Sequence, residues 1–158
     1  MELHQKKNIL IGVIGGSVCT DEEYQLAEEV GQRIARSGGV LVCGGMSGVM
    51  EAACKGAVQA GGLTVGILPG DNTGDANPYV KVPVATGMGI GRNIIIVRTA
   101  AALISIDGKF GTLSEISYAL QLNKKVISLR PWMEVPGMII VKTPEEAVRL
   151  AFEAVNHI

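Results

Sequence analysis

The sequence of 158 residues is poor in the side chains that most often perform acid–base or metal chemistry. Histidine occurs only as His4 and His157, near the two ends of the chain, so we expect no histidine base or metal ligand in the interior. The three cysteines, Cys19, Cys43 and Cys54, have no CxxC spacing, which argues against a zinc site and against a disulfide framework. Any acid–base chemistry therefore has to be performed by carboxylates, and we expect no bound metal.

Charge of one sign and long apolar runs are also scarce. The formal net charge is -1, so no field of positive charge is available to bind the phosphates of a nucleic acid. No apolar run approaches the ~20 residues that cross a bilayer, and residues 1–7 are too polar for a signal peptide. We expect a cytoplasmic protein whose partner is a small phosphate-bearing molecule, with no nucleic-acid and no membrane partner.

Small apolar residues and glycine make up much of the chain instead. Hydrophobic residues form 47% of it, aromatic residues only 4%, and there are 21 glycines, a composition that suits buried parallel strands joined by tight turns. Short apolar runs alternate with helical segments along the whole length. The pattern predicts one domain over residues 1–158, a Rossmann-like three-layer α/β sandwich with a mostly parallel sheet of about six or seven strands.

The predicted elements follow from apolar runs, caps and glycine stops. Strands are predicted over residues 8–14, 40–43, 63–68, 81–85, 101–106, 126–129 and 138–141. Helices are predicted over residues 20–37, 49–60, 89–99 and 112–123. A last helix is predicted with Thr143 as its cap and Pro144 at its first position. Residues 69–79 form a long polar loop, and loops of this length are often binding loops or lids.

Glycine clusters follow three of the predicted strands, and we interpret them as a ligand site. In an open α/β sheet, ligands bind beyond the carboxyl ends of the strands, where the strand order reverses. Glycine there lets backbone N–H groups approach an anion, and the next helix N-terminus adds favourable dipole charge. A tight turn alone explains any single cluster, but three at one edge favour a phosphate site. The clusters are Gly15-Gly16-Ser17, Gly44-Gly45-Met46-Ser47-Gly48 and Gly108-Lys109-Phe110-Gly111-Thr112.

Two common nucleotide sites are excluded by their signatures. The first turn reads Gly12-x-x-Gly15-Gly16 instead of GxGxxG, and no acidic residue follows the second strand to bind a ribose. The Walker pattern GxxxxGK[ST] is absent, because neither Lys55 nor Lys109 precedes Ser or Thr in that frame. The predicted ligand is therefore neither a dinucleotide nor a P-loop nucleotide.

Two segments resemble the signatures of the Lonely Guy family, phosphoribohydrolases that release cytokinin bases from their riboside monophosphates. Residues 44–51 resemble its GGGxxGLMG segment, and residues 107–115 resemble its PGGxGTxxE signature. The resemblance extends from the first strand to about Leu129. Many members were once labelled lysine decarboxylases, but nothing here suggests a lysine for pyridoxal phosphate. The resemblance implies hydrolysis of the N-glycosidic bond of a nucleoside 5′-monophosphate, no required cofactor and a homodimer or higher oligomer.

The resemblance also assigns roles to individual residues. Glu115 matches the last Glu of PGGxGTxxE, and Arg92 matches the family's essential Arg; this pair is the predicted catalytic site. In the family these groups serve the ribose and phosphate, and the glycine turn with its Thr holds the phosphate. The predicted ligand-binding residues are Gly15, Gly16, Ser17, Gly44, Gly45, Met46, Ser47, Arg98, Gly108, Lys109, Gly111 and Thr112.

The sequence departs from the family pattern at three positions. Asp107 replaces the Pro of the signature, Lys109 replaces its second Gly, and Asn93 replaces the Lys after the Arg. Residues 66–70 and 76–79 are closer to a bacterial and archaeal branch that also resembles molybdenum cofactor carrier proteins. A carrier that binds molybdenum cofactor, a nucleotide or another phosphate-bearing ligand without hydrolysis is therefore the alternative function. An oligomeric scaffold with no ligand is a third.

Helix structure alone offers a different explanation for the candidate residues. Thr112 and Glu115 have the spacing of a capping box, which recurs at two other predicted helix starts and stabilises a helix by about 0.5–2 kcal/mol. Arg92 and Arg98 could equally lie on a solvated helix face or form a salt bridge between helices. The sequence leaves both explanations open.

Overall fold

The computed structural model describes residues 7–156, so His4 and His157 lie outside the described part of the chain. Each predicted strand and helix is present, with shifted ends. The elements are β1 (Leu10–Gly15), α1 (Asp21–Arg36), β2 (Val40–Cys43), α2 (Val49–Gln59), β3 (Thr64–Leu68), β4 (Val82–Ala85), α3 (Asn93–Thr99), β5 (Ala102–Ile106), α4 (Phe110–Gln121), β6 (Val126–Leu129), β7 (Ile139–Val141) and α5 (Pro144–Val155). Within residues 7–156, none of the helices is both long enough and apolar enough to cross a membrane.

The seven described strands form one parallel sheet in the order β4-β3-β2-β1-β5-β6-β7. The chain builds outward from β1 to β4 and then returns to the other side of β1 with β5. The strand order therefore reverses between β1 and β5, where Gly15 pairs in register with Ile106. The predicted Rossmann-like architecture is confirmed, and the reversal fixes where a ligand site is expected.

Helices cover both faces of the sheet, which is why its strands are apolar throughout. All residues of β2 and β5 are buried, as expected for parallel strands between two helical layers. Helices α1, α2 and α5 pack on one face with Val13 in their core, and α3 and α4 pack on the other face with Ile14. Successive residues of a strand point to opposite faces, so an unbroken apolar run supplies two cores at once.

Helices α1 and α2 approach each other so closely that glycines replace side chains at their contact. A Cβ atom on Gly31 would lie 1.9 Å from the carbonyl oxygen of Ala53, and one on Gly56 would lie 1.9 Å from that of Glu28. The two backbones are therefore in direct contact, and no larger residue fits at either position. This contact fixes the direction of α2, which follows the glycine turn after β2.

Two helix starts follow the predicted caps. The Thr20 hydroxyl accepts a hydrogen bond from the N–H of Glu23, whose carboxylate accepts one from the N–H of Thr20. At α5, the Thr143 hydroxyl accepts from the N–H of Glu146, and Pro144 occupies the first helical position. These bonds satisfy backbone donors that every helix start leaves without an intrahelical partner.

The helix predicted to begin at Thr112 begins earlier, and its predicted cap is wrong. Helix α4 starts at Phe110 with Lys109 as its N-cap residue, and none of the described side chains caps it. The Asp107–Gly108 turn has positive φ angles of 48° and 107°, which brings the backbone into the helix two residues sooner. Thr112 and Glu115 therefore lie inside α4, and a cap no longer explains Glu115.

The helix predicted over residues 89–99 is divided into two segments. Its first part, Gly89–Arg92, is a 3-10 turn, and the α-helix begins only at Asn93. Gly87 and Gly89 have positive φ angles of 64° and 59°, a conformation that glycine adopts without strain and that delays the α-helix. Arg92 therefore lies at a junction between two helical segments.

The α1–α2 contact predicts that Gly56→Ala destabilises the protein, although alanine favours a helix interior by about 1 kcal/mol over glycine. The added methyl group would meet the backbone of α1, and overpacking of this kind lowers the free energy of unfolding by about 1–3 kcal/mol. Thermal unfolding measures the effect. Gly111→Ala in α4 is the control, because no other part of the described chain comes within 4 Å of a Cβ there. Equal melting temperatures for the two variants would contradict the backbone contact.

Candidate functional site

A cleft of about 420 Å³ lies at the carboxyl ends of the central strands, where the strand order reverses. Most of the residues that the sequence predicts for the site line this cleft. They come from four separate segments, so the sheet topology brings them together. They are Gly15, Gly16, Ser17, Gly44, Arg92, Lys109, Gly111, Thr112 and Glu115.

Three predicted residues of the turn after β2 lie outside the cleft lining: Gly45, Met46 and Ser47. Gly45 faces β3, where a Cβ atom would lie 2.5 Å from Leu68 Cδ2. Met46 packs against the core on the α1–α2 face of the sheet. The Ser47 hydroxyl donates a hydrogen bond of 2.9 Å to the carbonyl of Ser17. In place of ligand contacts, the structure gives these residues contacts that shape the turn.

Gly108 and Arg98 are the other predicted residues that do not line the cleft. A Cβ atom on Gly108 would lie 2.3 Å from the hydroxyl oxygen of Thr112, so this glycine allows the first turn of α4 to close. Arg98 is exposed in the last turn of α3. The ammonium group of Lys124 donates to the carbonyl of Arg98 and thereby caps that helix end. The prediction that Arg98 contacts a ligand is not supported by its position.

One backbone carbonyl and one side chain hold the Arg92 guanidinium in the cleft. Its Nε donates to the carbonyl of Ile67 at 2.9 Å, and its Nη1 donates to the side-chain oxygen of Asn93. A Cβ atom on Gly44 would lie 2.8 Å from Arg92 Nη2, so glycine at position 44 makes room for the guanidinium. Burial lowers the pKa of Arg92 and the charge of Glu115 opposes that shift, but the group stays protonated.

Glu115 is a buried acid in the same cleft, with 8% of its surface exposed. Burial raises its pKa to about 8, and the nearby charge of Arg92 reduces this effect. Among the described residues, no carboxylate comes within 4.0 Å of Arg92, so the two groups do not form an ion pair. Burial therefore favours the protonated form of Glu115, which can donate a hydrogen bond.

A chain of hydrogen bonds connects Arg92 to the first turn of α4. Asn93 accepts from Arg92 and donates from its amide nitrogen to the Ser114 hydroxyl at 3.1 Å. That hydroxyl donates to the carbonyl of Gly111 at 2.7 Å. Asn93 is buried. Its two hydrogen bonds set the position of the Arg92 side chain relative to the first turn of α4.

Six further residues line the cleft although the sequence analysis does not predict them as site residues. Asn93 is one of them, and the sequence does mark this position, because Asn93 replaces the Lys of the family pattern. The others are apolar, and a sequence does not distinguish an apolar lining residue from a core residue. They are Val13, Ile14, Val18, Met50 and Ile90.

The departures at Asp107 and Lys109 have a backbone explanation. Asp107 has a φ of 48°, which proline cannot adopt because its ring fixes φ near -65°. Aspartate is one of the few residues that tolerates this left-handed region. Lys109 has a negative φ of -138°, so the backbone at this position does not require glycine. The turn after β5 therefore follows a path that the Pro-Gly-Gly signature could not.

The long polar loop after β3 is attached to the glycine turn after β2. The backbone N–H of Asn77 donates to the carbonyl of Gly45 at 2.9 Å, and its side-chain amide donates to that of Met46 at 2.8 Å. None of residues 69–79 lines the cleft. The loop thus supports a wall of the site in the conformation described.

Residues 8–156 match the sequence profile of the SLOG cluster4 family. This chain belongs to that family. The resemblance to the Lonely Guy-like Rossmann superfamily is thereby confirmed. An uncharacterized protein of Archaeoglobus fulgidus is 49% identical over 142 residues, which cover 90% of this chain and 93% of that protein.

Two solved structures share the fold over nearly their whole length. The molybdenum cofactor binding protein of Rippkaea orientalis has a TM-score of 0.88 and 35% identity, covering 94% of this chain and 98% of that one. The molybdenum cofactor carrier protein of Chlamydomonas reinhardtii has a TM-score of 0.85 and 27% identity, covering 94% and 99% of the two chains.

The raised pKa of Glu115 predicts a specific pH dependence of stability. The folded protein holds this proton up to about pH 8, whereas the unfolded chain releases it near pH 4.5. Stability therefore falls as the pH rises between these values, by about 1.4 kcal/mol per pH unit for a full proton difference. We expect Glu115→Gln, which stays neutral, to lack this loss. Melting temperatures of both proteins between about pH 5 and 8 measure it, and parallel profiles would show that Glu115 is ionised when folded.

Proposed function

We propose that this protein binds the molybdenum cofactor, or a closely related phosphate-bearing pterin, in the cleft and carries it without breaking a bond. The observation that carries the proposal is a cleft that combines the Arg92 cation, glycine turns and the start of α4 with exposed apolar side chains. Burial, which raises the pKa of Glu115 to about 8, favours a carboxyl that donates a hydrogen bond over the ionised carboxylate that stabilises positive charge on a ribose. Similarity to molybdenum cofactor binding and carrier proteins supports the same function.

The glycine turns and the start of α4 suit the phosphate of such a ligand. Gly15 and Gly16 follow β1, Gly111 and Thr112 lie in the first turn of α4, and all four line the cleft. The first N–H groups of a helix have no intrahelical acceptor, and they bind anions readily. Lys109 adds a positive charge to the same lining.

The apolar part of the lining suits a planar heterocycle. Val18 and Ile90 are each 86% exposed although both have large aliphatic side chains, and Met50 lines the cleft between elements of the core. A ring bound here would cover apolar surface that otherwise faces water. The protonated carboxyl of Glu115 would donate a hydrogen bond to a ring nitrogen or carbonyl, which gives orientation to the bound ligand.

Hydrolysis of a nucleoside 5′-monophosphate is the second candidate function. It is favoured by the presence of Arg92 and Glu115 in one cleft, as the resemblance to phosphoribohydrolases requires. Arg92 would orient the phosphate and sugar, and Glu115 would stabilise the positive charge that develops on the ribose. Because Glu115 would have to be ionised, the rate of base release would rise with pH through about pH 8.

Two incubations separate these functions. In the first, the purified protein is mixed with molybdenum cofactor released from a molybdoenzyme and passed through gel filtration, where a carrier retains the pterin. In the second, it is mixed with a panel of nucleoside 5′-monophosphates, and free base and ribose 5-phosphate are measured. We expect retained pterin in wild type and in Glu115→Gln, and no base release. Base release that Glu115→Gln abolishes would establish the hydrolase instead. The same gel filtration tests the predicted homodimer or higher oligomer.

Variants of Arg92 and Arg98 form a matched pair that tests the binding site. Arg92→Gln removes a guanidinium from the cleft, and we expect at least about tenfold weaker pterin binding, since a hydrogen bond to a charged group contributes about 1.5–3 kcal/mol. Arg98→Gln removes the same charge from the exposed end of α3 and should leave binding unchanged. Equilibrium titration of both variants measures the difference. Equal losses would show a general charge effect and contradict the site.

A further inference from the structure

Lys109 occupies a position between the ligand cleft and an aromatic cluster. Its side chain lines the cleft and also a small neighbouring hollow that includes Trp132 and Met133. The ammonium nitrogen lies 5.1 Å from the centroid of the Trp132 ring system, within the distance of a cation–π contact. The cation that the cleft would offer to a phosphate is therefore engaged with an indole ring in the ligand-free protein.

Neighbouring groups hold the indole in place at the rim. Phe110, the residue after Lys109, meets Trp132 edge to face, with ring centroids 5.1 Å apart and an interplanar angle of 81°. The two rings remain 75% and 39% exposed, respectively. Trp132 lies in the segment between β6 and β7, which turns at Arg130 with a φ of 51°. This aromatic pair therefore lies beside Lys109 at the start of α4.

The indole is the one partner recorded for the ammonium group among residues 7–156, where no carboxylate lies within 4.0 Å of Lys109. An exposed cation–π contact changes an equilibrium constant by about two- to fivefold. A charge-assisted hydrogen bond to phosphate changes it by about tenfold or more. A phosphate group in the cleft therefore outcompetes the indole for this lysine.

We propose that Trp132 is a positioning residue that holds the ammonium group of Lys109 until the phosphate of a bound ligand takes it over. The proposal rests on the phosphate-binding function given above and adds a residue that adjusts its affinity. An interaction present only in the free protein opposes binding by its own strength. Trp132 therefore lowers the affinity of every anion that takes over Lys109 by the same factor, so only anions that bind this lysine strongly stay bound at low concentration.

Trp132 is the single tryptophan of the sequence, so its emission reports directly on the exchange. We expect inorganic phosphate, titrated at constant ionic strength against sodium chloride, to change the emission intensity, because the indole loses its cation. Lys109→Met keeps the aliphatic stem without the charge, and phosphate should leave its emission unchanged. Lys125→Met is the matched control: Lys125 is exposed before β6, away from the cleft, and this variant should respond like wild type.

A second variant tests the direction of the effect on affinity. Trp132→Leu removes the interaction that exists only in the free protein, so phosphate should bind about two- to fivefold more tightly. The affinity is measured from the rise of the melting temperature with phosphate concentration. A tryptophan that contacts the ligand directly, or that only supports the fold of the site, would give weaker binding in this variant.

The outcomes separate this inference from the proposed function. Unchanged emission in wild type overturns the exchange of Lys109. If phosphate still raises the melting temperature in those samples, the cleft binds phosphate without it and the proposed function stands. If phosphate has no effect on the melting temperature either, the phosphate site fails as well. Weaker phosphate binding by Trp132→Leu overturns the holding role even if the emission changes.

Discussion

Strand β1, strand β5 and helix α2 meet at Gly15, and the geometry of the cleft depends on that meeting. A Cβ atom on Gly15 would lie 2.4 Å from the carbonyl oxygen of Ile106 and 2.6 Å from Val49 Cγ1. A larger residue would force apart the two central strands or push away the helix. Residues from the turns after β1, β2 and β5 line the cleft, so a side chain at position 15 would disturb their arrangement.

Electrostatics in the cleft follow from two different ways of burying an ionisable group. The Arg92 guanidinium keeps its charge because the carbonyl of Ile67 and the side chain of Asn93 accept its hydrogen bonds. Within residues 7–156 Glu115 has no comparable partner, so burial favours its neutral form. With Glu115 protonated, Arg92 and Lys109 give the lining a positive character at neutral pH. This asymmetry favours an anionic ligand over a reaction that needs an ionised carboxylate.

The strands and the parallel sheet could be predicted because each strand is a short apolar run bounded by turn residues. The strand predicted over residues 126–129 is found at Val126–Leu129, since a short, fully apolar run between turn residues has few other structures available. The start of α4 could not be predicted, because Thr112 and Glu115 give a strong local cap signal. A backbone turn overrides it, at Asp107, where a positive φ is unexpected for a residue other than glycine.

The candidate site was predictable in its backbone and less so in its side chains. Glycine turns at strand ends have a fixed place in a parallel sheet, and most of the predicted ones line the cleft. The arginines at positions 92 and 98 look alike in sequence, but only the first lines the cleft, because the chain changes from a 3-10 turn to an α-helix between Arg92 and Asn93. Burial of that kind depends on tertiary packing, which no local pattern records.

The glycine contact between α1 and α2 also decides how the protein can respond to a ligand. With Gly31 and Gly56 placing the two backbones against each other, α2 cannot shift at the cleft without taking α1 along. Helix α3, by contrast, has seven residues, is entered through a 3-10 turn and is joined to α4 through the Asn93–Ser114 hydrogen bond. The wall of the cleft at α2 is therefore braced by a second helix, and we expect adjustment to ligands of different size on the side of α3 and α4.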